Sequence, residues 1–270
     1  MSAGGSGGPA TGGIDHNKII IFGIIGALVG IYAAYFLVNA IGSAFSFIAG
    51  LGAICSIVWG ASAVRRVSNY GLGTGVPSIG MLAIGTGMVA SLFGMAVGSI
   101  AGPIISFVTA CIIGLVIGIL ANRIIGMGIP IMEQSMTEIA GAGSLTIVAL
   151  STTMSGTFMI ETILPNVIGT GYIAMIFIIG ALSILHPFNA NLGPDEHQDR
   201  TLSTGFEKGA IAVIIAGIVA TTTAGAASIP TILVGAFIWY TAFSKFYEYI
   251  KRDAHKVVGT GVLPTEEELE

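Results

Sequence analysis

Residues 19–41 read IIIFGIIGALVGIYAAYFLVNAI, an apolar run with no charged side chain, entered directly after Lys18. A helix needs roughly 20 mostly apolar residues to cross the hydrocarbon of a bilayer. The run is continuous, whereas a barrel strand would alternate, so it reads as a spanning helix. Similar runs recur along the chain, separated by Gly, Pro, Ser or short charged clusters. Hydrophobic residues make up 54% of the sequence and charged residues only 9%, and mean hydropathy is +0.91, which excludes an ordinary soluble domain. The fold class expected is all-α: a polytopic transmembrane helical bundle.

Further spans are expected at about residues 44–64, 79–101, 104–120, 139–164, 172–185, 210–223 and 231–243. With the first they make about eight, and six or seven with a re-entrant hairpin, because the sixth and seventh are short. Loops are expected at 67–78, around Pro165, Asn166 and Gly169, and in the charged segment 186–208. From Ile124 a short surface or re-entrant element, interrupted by Gly126, Gly128 and Pro130, is expected ahead of the fifth span. The basic residues fix the orientation. Lys18, Arg65, Arg66, Arg123, Arg200, Lys208, Lys245, Lys251, Arg252 and Lys256 all fall on one side of an eight-span path. The turns near Gly42, Gly102, Pro165 and Gly225 are uncharged. The positive-inside rule then places every basic cluster and both termini in the cytoplasm of a multi-pass cell-membrane protein. Residues 1–17 form a Gly/Ser-rich tail with no sign of a cleaved signal peptide, 18–245 the membrane domain, and 246–270 a cytoplasmic tail.

The 40 glycines lie mostly inside apolar stretches. The i, i+4 sets Gly26 with Gly30, Gly94 with Gly98 and Gly102, and Gly114 with Gly118 each present a flat groove, for packing within the chain or against a neighbouring chain. Cys55 and Cys111 sit in separate apolar runs, as buried free thiols would. A net charge of −4 gives no nucleic-acid signal. Trp239, Tyr240, Tyr247 and Tyr249 fit a headgroup-level aromatic belt, and membrane lipids are expected neighbours. There is no P-loop, no dinucleotide-binding glycine pattern after a strand and no HExxH, so no complete active site and no cofactor is expected on this chain alone.

The segment 186–202, HPFNANLGPDEHQDRTL, gathers Asn, carboxylates and His between two spans. Together with the MSAGG opening, the GALVGIY segment at 26–32 and the chain length, it resembles the integral-membrane C-subunit family of tetrahydromethanopterin S-methyltransferase from methanogenic archaea, over nearly the whole chain. That resemblance implies a role in methanogenesis. The complex moves a methyl group from methyl-tetrahydromethanopterin, through a corrinoid on its A subunit, to coenzyme M, and couples the transfer to sodium export. The membrane-embedded D and E subunits would be the nearest partners.

For a sodium path, carboxylates within or beside the apolar runs matter most, since a charge in hydrocarbon is costly and normally faces a cavity or a partner. Glu138 and Glu161 are the candidates in the fifth span. On a continuous helix Thr153, Thr157 and Glu161 would stack oxygens along one stripe; the hydroxyls can equally bond their own helix carbonyls. Glu138 can equally be a helix-start carboxylate favoured by the dipole, and Glu133 has the same ambiguity. Asp195 is the loop candidate, set by the turn of Gly193 and Pro194, with Asn189 and Asn191 supplying amide oxygens. Two other classes compete. A stand-alone secondary transporter would show two related halves with broken helices, and no convincing internal repeat is present. A structural scaffold would seal the complex while a sister chain carries the ion.

Overall fold

The computed structural model describes residues 13–70, 75–190 and 198–253, with the backbone alone at 75–77, 189–190 and 252–253. Among them nine helices and no strand occur: α1 His16–Ala40, α2 Phe47–Ser68, α3 Gly75–Ala96, α4 Gly102–Ile119, α5 Met132–Ser155, α6 Ile160–Ile163, α7 Tyr172–Ala190, α8 Gln198–Ala224 and α9 Ile229–Asp253. Asp15 caps α1, its side chain accepting the Asn17 amide at 3.1 Å.

By length and composition five stretches can cross a membrane: His16–Ala40, Ser43–Ser68, Ser78–Ala96, Gly102–Ile124 and Gln198–Lys251. A sixth is α5 with the bent segment Ile160–Ile168. The stretch Gln198–Lys251 is not one rod. It reverses at Gly225, whose φ of +57° suits glycine, and α9 packs back along α8 with Gly217 against Ile232 and Gly235 against Ile214. The polytopic all-helical bundle expected from the sequence is therefore what forms, with large apolar side chains such as Ile25, Val29, Phe93, Ile112 and Phe237 on its exposed faces.

Helix α5 is the central element. It packs against α1, α2, α3, α4, α7 and α8, and its residues from Met136 to Met154 are almost all buried. A helix surrounded on every side needs small residues, because in lipid close backbone approach replaces the hydrophobic drive between helices. A Cβ on Gly87 would meet the Ala140 carbonyl oxygen, and one on Gly118 would lie 2.6 Å from the Glu133 Cα. Gly26 faces Cys55, Gly30 faces the Gly52 backbone, Gly94 faces Ser106 and Gly114 faces Met136. The glycine motifs singled out in the sequence thus serve packing within the chain, except for Gly98, which makes the α3–α4 turn at φ +65°.

Three sequence expectations are corrected. The expected short surface element is confined to the largely exposed residues 125–131, because α5 already begins at Met132 and carries both Glu133 and Glu138. Five polar or charged positions, Glu133, Gln134, Ser135, Thr137 and Glu138, masked the start of the helix, although Met132, Ser135 and Met136 are buried along it. The fifth span is not continuous over 139–164. Gly156 ends α5 in the left-handed conformation at φ +75°, and the chain bends by 68° into Ile160–Ile168. Finally, 186–208 is not one long loop: its residues 186–190 and 198–208 belong to α7 and α8. Polar composition suggested a loop, yet Thr201, Thr204 and Glu207 are buried on the packed side of a helix that extends past the apolar run.

Candidate functional site

The helix ends fall into two groups. The starts of α1, α5 and α8 meet the ends of α2, α4, α7 and α9. Ile14 exchanges two hydrogen bonds with the Gln198 side chain, at 2.7 and 2.9 Å, Arg123 pairs with Glu133 at 3.0 Å, and the Arg200 guanidinium lies 5.8 Å from the Tyr249 ring. Every described Lys and Arg is at or near this end. At the opposite end Tyr32 donates to the Ile100 carbonyl at 2.7 Å and packs edge-on to Phe158.

Glu138, one and a half turns into α5, organises the charged end. It is 6% exposed and accepts from His16 Nε2 at 2.7 Å, Trp59 Nε1 at 3.1 Å and Gln134 Nε2 at 2.8 Å, with the Arg66 guanidinium 3.7 Å away. An ionised carboxylate only accepts, so His16 Nε2 donates to it, and His16 Nδ1 lies within hydrogen-bond distance of the Ser62 hydroxyl, at 3.3 Å. Three helices converge on one buried anion: α1 through His16, α2 through Trp59 and Arg66, and α5 itself. Both carboxylate oxygens are thereby occupied, and the nearby guanidinium balances the charge. Such a group locks helix ends together, and a cation can reach it only if one of these partners withdraws.

A second buried carboxylate sits at the same end. Glu207 of α8 is 3% exposed; its Oε1 accepts from Lys208 Nζ at 2.8 Å, while Oε2 has no hydrogen-bond partner. Between the two ends, α5 buries Ser144 and Ser151 with their hydroxyls likewise unpartnered. Thr146 bridges to Ser56 of α2 at 2.8 Å.

The candidates named from the sequence do not assemble. Glu161 is exposed on α6 at the opposite end, beside Gly98 of the α3–α4 turn. The part of α5 from Glu138 to Ser155, roughly 26 Å by helical rise, separates it from Glu138. The stripe of Thr153, Thr157 and Glu161 is broken at Gly156. Thr153 is fully buried and donates to the Ala149 carbonyl at 2.8 Å, and Thr157 accepts the Met159 amide at 3.0 Å after the bend. Asp195 and Asn191 lie outside the described residues, as does the side chain of Asn189. Sequence reasoning missed His16, Trp59, Arg66 and Gln134 as partners of Glu138; only the i, i+4 spacing of Gln134 signalled any of them. It also passed over Glu207, which opens the apolar part of α8 but stood inside a supposed loop.

A bundle of apolar helices around a small-residue central helix, with its cations collected at one end, defines a polytopic membrane protein. The MtrC family model, that of the C subunit of tetrahydromethanopterin S-methyltransferase, matches residues 1–267. Curated relatives bearing that description include those of Methanosarcina acetivorans, 60% identical with all of both chains covered, and Methanothermobacter thermautotrophicus, 41% identical over 97% of this chain and 98% of the relative. The Methanococcus maripaludis relative is 36% identical over 99% and 100%. The chain belongs to the C-subunit family of tetrahydromethanopterin S-methyltransferase. It is accordingly a component of a multisubunit methyltransferase and works with other subunits.

Proposed function

We propose that through this chain, embedded in the cell membrane, the complex couples methyl transfer from methyl-tetrahydromethanopterin to coenzyme M with the export of sodium. The methyl carrier would be a corrinoid on the A subunit, with the D and E subunits beside this chain in the bilayer. The observation that carries the reading is the family match over residues 1–267 on a bundle whose described cationic residues gather at one end. By the positive-inside rule that end is cytoplasmic, where a soluble corrinoid-bearing partner is able to dock. Both termini are then inside, and α1 to α4, the bent α5–α6 pair, α7, α8 and α9 make eight passes.

In this reading the chain contributes polar groups to an ion path and no methyl-transfer chemistry. Asp195, Asn189 and Asn191 would lie at the cytoplasmic mouth, and Glu161 at the external end. One observation favours a scaffold role at a particular position: Glu138 is already satisfied by three hydrogen bonds and an arginine. The test is methyl transfer to coenzyme M by the purified, corrinoid-loaded complex as sodium is varied. Sodium-stimulated transfer is expected; transfer indifferent to sodium refutes coupling.

A further inference from the structure

Two buried carboxylates share the charged end, and they differ in one respect. Glu138 has both oxygens engaged, whereas Glu207 has one donor and one open oxygen. A buried anionic oxygen left without a partner is costly, and native structures relieve such a cost with water, an ion or a proton. In a membrane-spanning helix an ionisable side chain of this kind normally serves transport.

Other oxygens lie on α7 and α8 at the level of Glu207. The Ser183 hydroxyl of α7 donates to the Lys208 carbonyl at 3.1 Å, tying the two helices together at this level. Pro187 lies inside α7 and has no N–H, so the Ser183 carbonyl lacks its usual helix donor. Ser203, itself buried, precedes Glu207 by one turn on the same face of α8. Hydroxyls, broken-helix carbonyls and a single carboxylate are the ligands that hard cations take in membrane proteins. The charge balance selects the valence. One carboxylate neutralises one positive charge, which Lys208 Nζ now supplies from the neighbouring residue; a divalent ion would leave an excess charge in a poorly solvated place.

We propose that Glu207 is a monovalent-cation site for which the Lys208 ammonium is the tethered competitor: sodium or a proton takes the carboxylate as Lys208 swings away. Lys208 is exposed enough to do so, its side chain being 24% accessible against 4% for Glu207. Among the described residues, the other carboxylates at this end, on α8 or on helices packed against it, are Glu133, Glu138, Asp199 and Glu248, and the other charged or titratable groups are Arg65, Arg66, His186, Arg200, Lys245, Tyr247, Tyr249 and Lys251. Glu207 Oε2 has a hydrogen bond to none of them. The inference rests on the sodium-coupled reading only for the choice of sodium; the site is defined by the open oxygen.

The test uses the intact purified complex, carrying wild-type chain, Glu207→Gln, Glu207→Asp or Lys208→Met. Its thermal midpoint is followed against sodium chloride, with choline chloride holding ionic strength constant, and against pH in choline alone. Removing the competitor with Lys208→Met is expected to lower the sodium needed for half-saturation by roughly tenfold or more, as loss of a unit charge at contact distance implies. Glu207→Gln raises it at least as far or abolishes the response, and Glu207→Asp falls between. If wild type responds to sodium and both Glu207→Asp and Lys208→Met keep its half-saturation, Glu207 is only a structural ion pair and the proposal is overturned. If wild type ignores sodium, yet Lys208→Met moves the pH inflection by about one unit or more, the site takes protons. The proposal then stands while the sodium reading falls. Indifference of every variant in both titrations overturns it.

Discussion

Replacing Glu138 with Gln keeps the shape of the side chain and removes its charge. Oε2 accepts from both His16 and Trp59, and Oε1 from Gln134. A glutamine has one acceptor oxygen and an NH2 group, so either one of these donors faces another donor or the Gln134 amide must turn over, and in every orientation the negative charge beside Arg66 is lost. Hydrogen bonds to charged groups contribute about 1.5–3 kcal/mol each, and removing one member of a buried charge pair costs about 3–5 kcal/mol. Arg66 stands at 3.7 Å with a side chain 29% exposed, so water recovers part of its loss and the lower end applies. We expect Glu138→Gln to destabilise the chain by about 3 kcal/mol. Unfolding by sodium dodecyl sulfate from mixed micelles measures this directly, with loss of helical circular dichroism as a reporter that does not depend on Trp59. Trp59→Phe should cost less alone and couple to Glu138→Gln by about 1 kcal/mol in a double-mutant cycle. A Glu138→Gln chain within about 0.5 kcal/mol of wild type, accompanied by a large rise in the sodium requirement for methyl transfer, would refute the clasp and restore Glu138 as an ion ligand.

Gly87→Ala forces a methyl group onto the Ala140 carbonyl and should cost about 1–3 kcal/mol in the same unfolding assay. Gly85→Ala, two residues earlier and with nothing within 4 Å of its added Cβ, should be neutral or slightly stabilising. Gly156→Ala places a side chain at φ +75°, with the new Cβ 2.7 Å from Val38 Cγ1, and should lose about 1–3 kcal/mol. Glu161→Cys and Lys245→Cys, in a chain with Cys55 and Cys111 replaced by Ser, should label from opposite faces of sealed vesicles with an impermeant maleimide. Labelling of both from the same face would break the eight-pass topology.

The sequence showed most where one physical rule dominates. Continuous apolar runs mark spanning helices because lipid leaves the backbone no other way to satisfy its hydrogen bonds, and α1, α2, α3, α4 and α9 lie close to where those runs placed them. It was misleading where helices carry polar side chains on a buried face. Residues 198–208 look like a loop to a hydropathy scale, yet their buried Thr201, Thr204 and Glu207 are held in helix α8 by neighbours distant in sequence. The break at Gly156 was equally hard to see, because a glycine among forty carries no mark of the left-handed conformation it adopts. The partners of Glu138 are 72, 79 and 122 residues away for Arg66, Trp59 and His16, separations that no local pattern encodes.

The distribution of donors between the two buried carboxylates bears on how a coupling chain responds to a docking partner. A carboxylate held by His16, Trp59, Gln134 and Arg66 at once gives up its partners only if three helices separate, which makes Glu138 a rigid reference point at the charged end. One held by a single flexible ammonium exchanges that partner by rotation of one side chain. A docking event that shifts α7 against α8 would act first on the Ser183–Lys208 hydrogen bond that links them, and through Lys208 on Glu207, while the α1–α2–α5 clasp stays closed. Coupling of the kind proposed would therefore divide naturally: α1, α2 and α5 supply the fixed frame, and the α7–α8 contact supplies the part able to move.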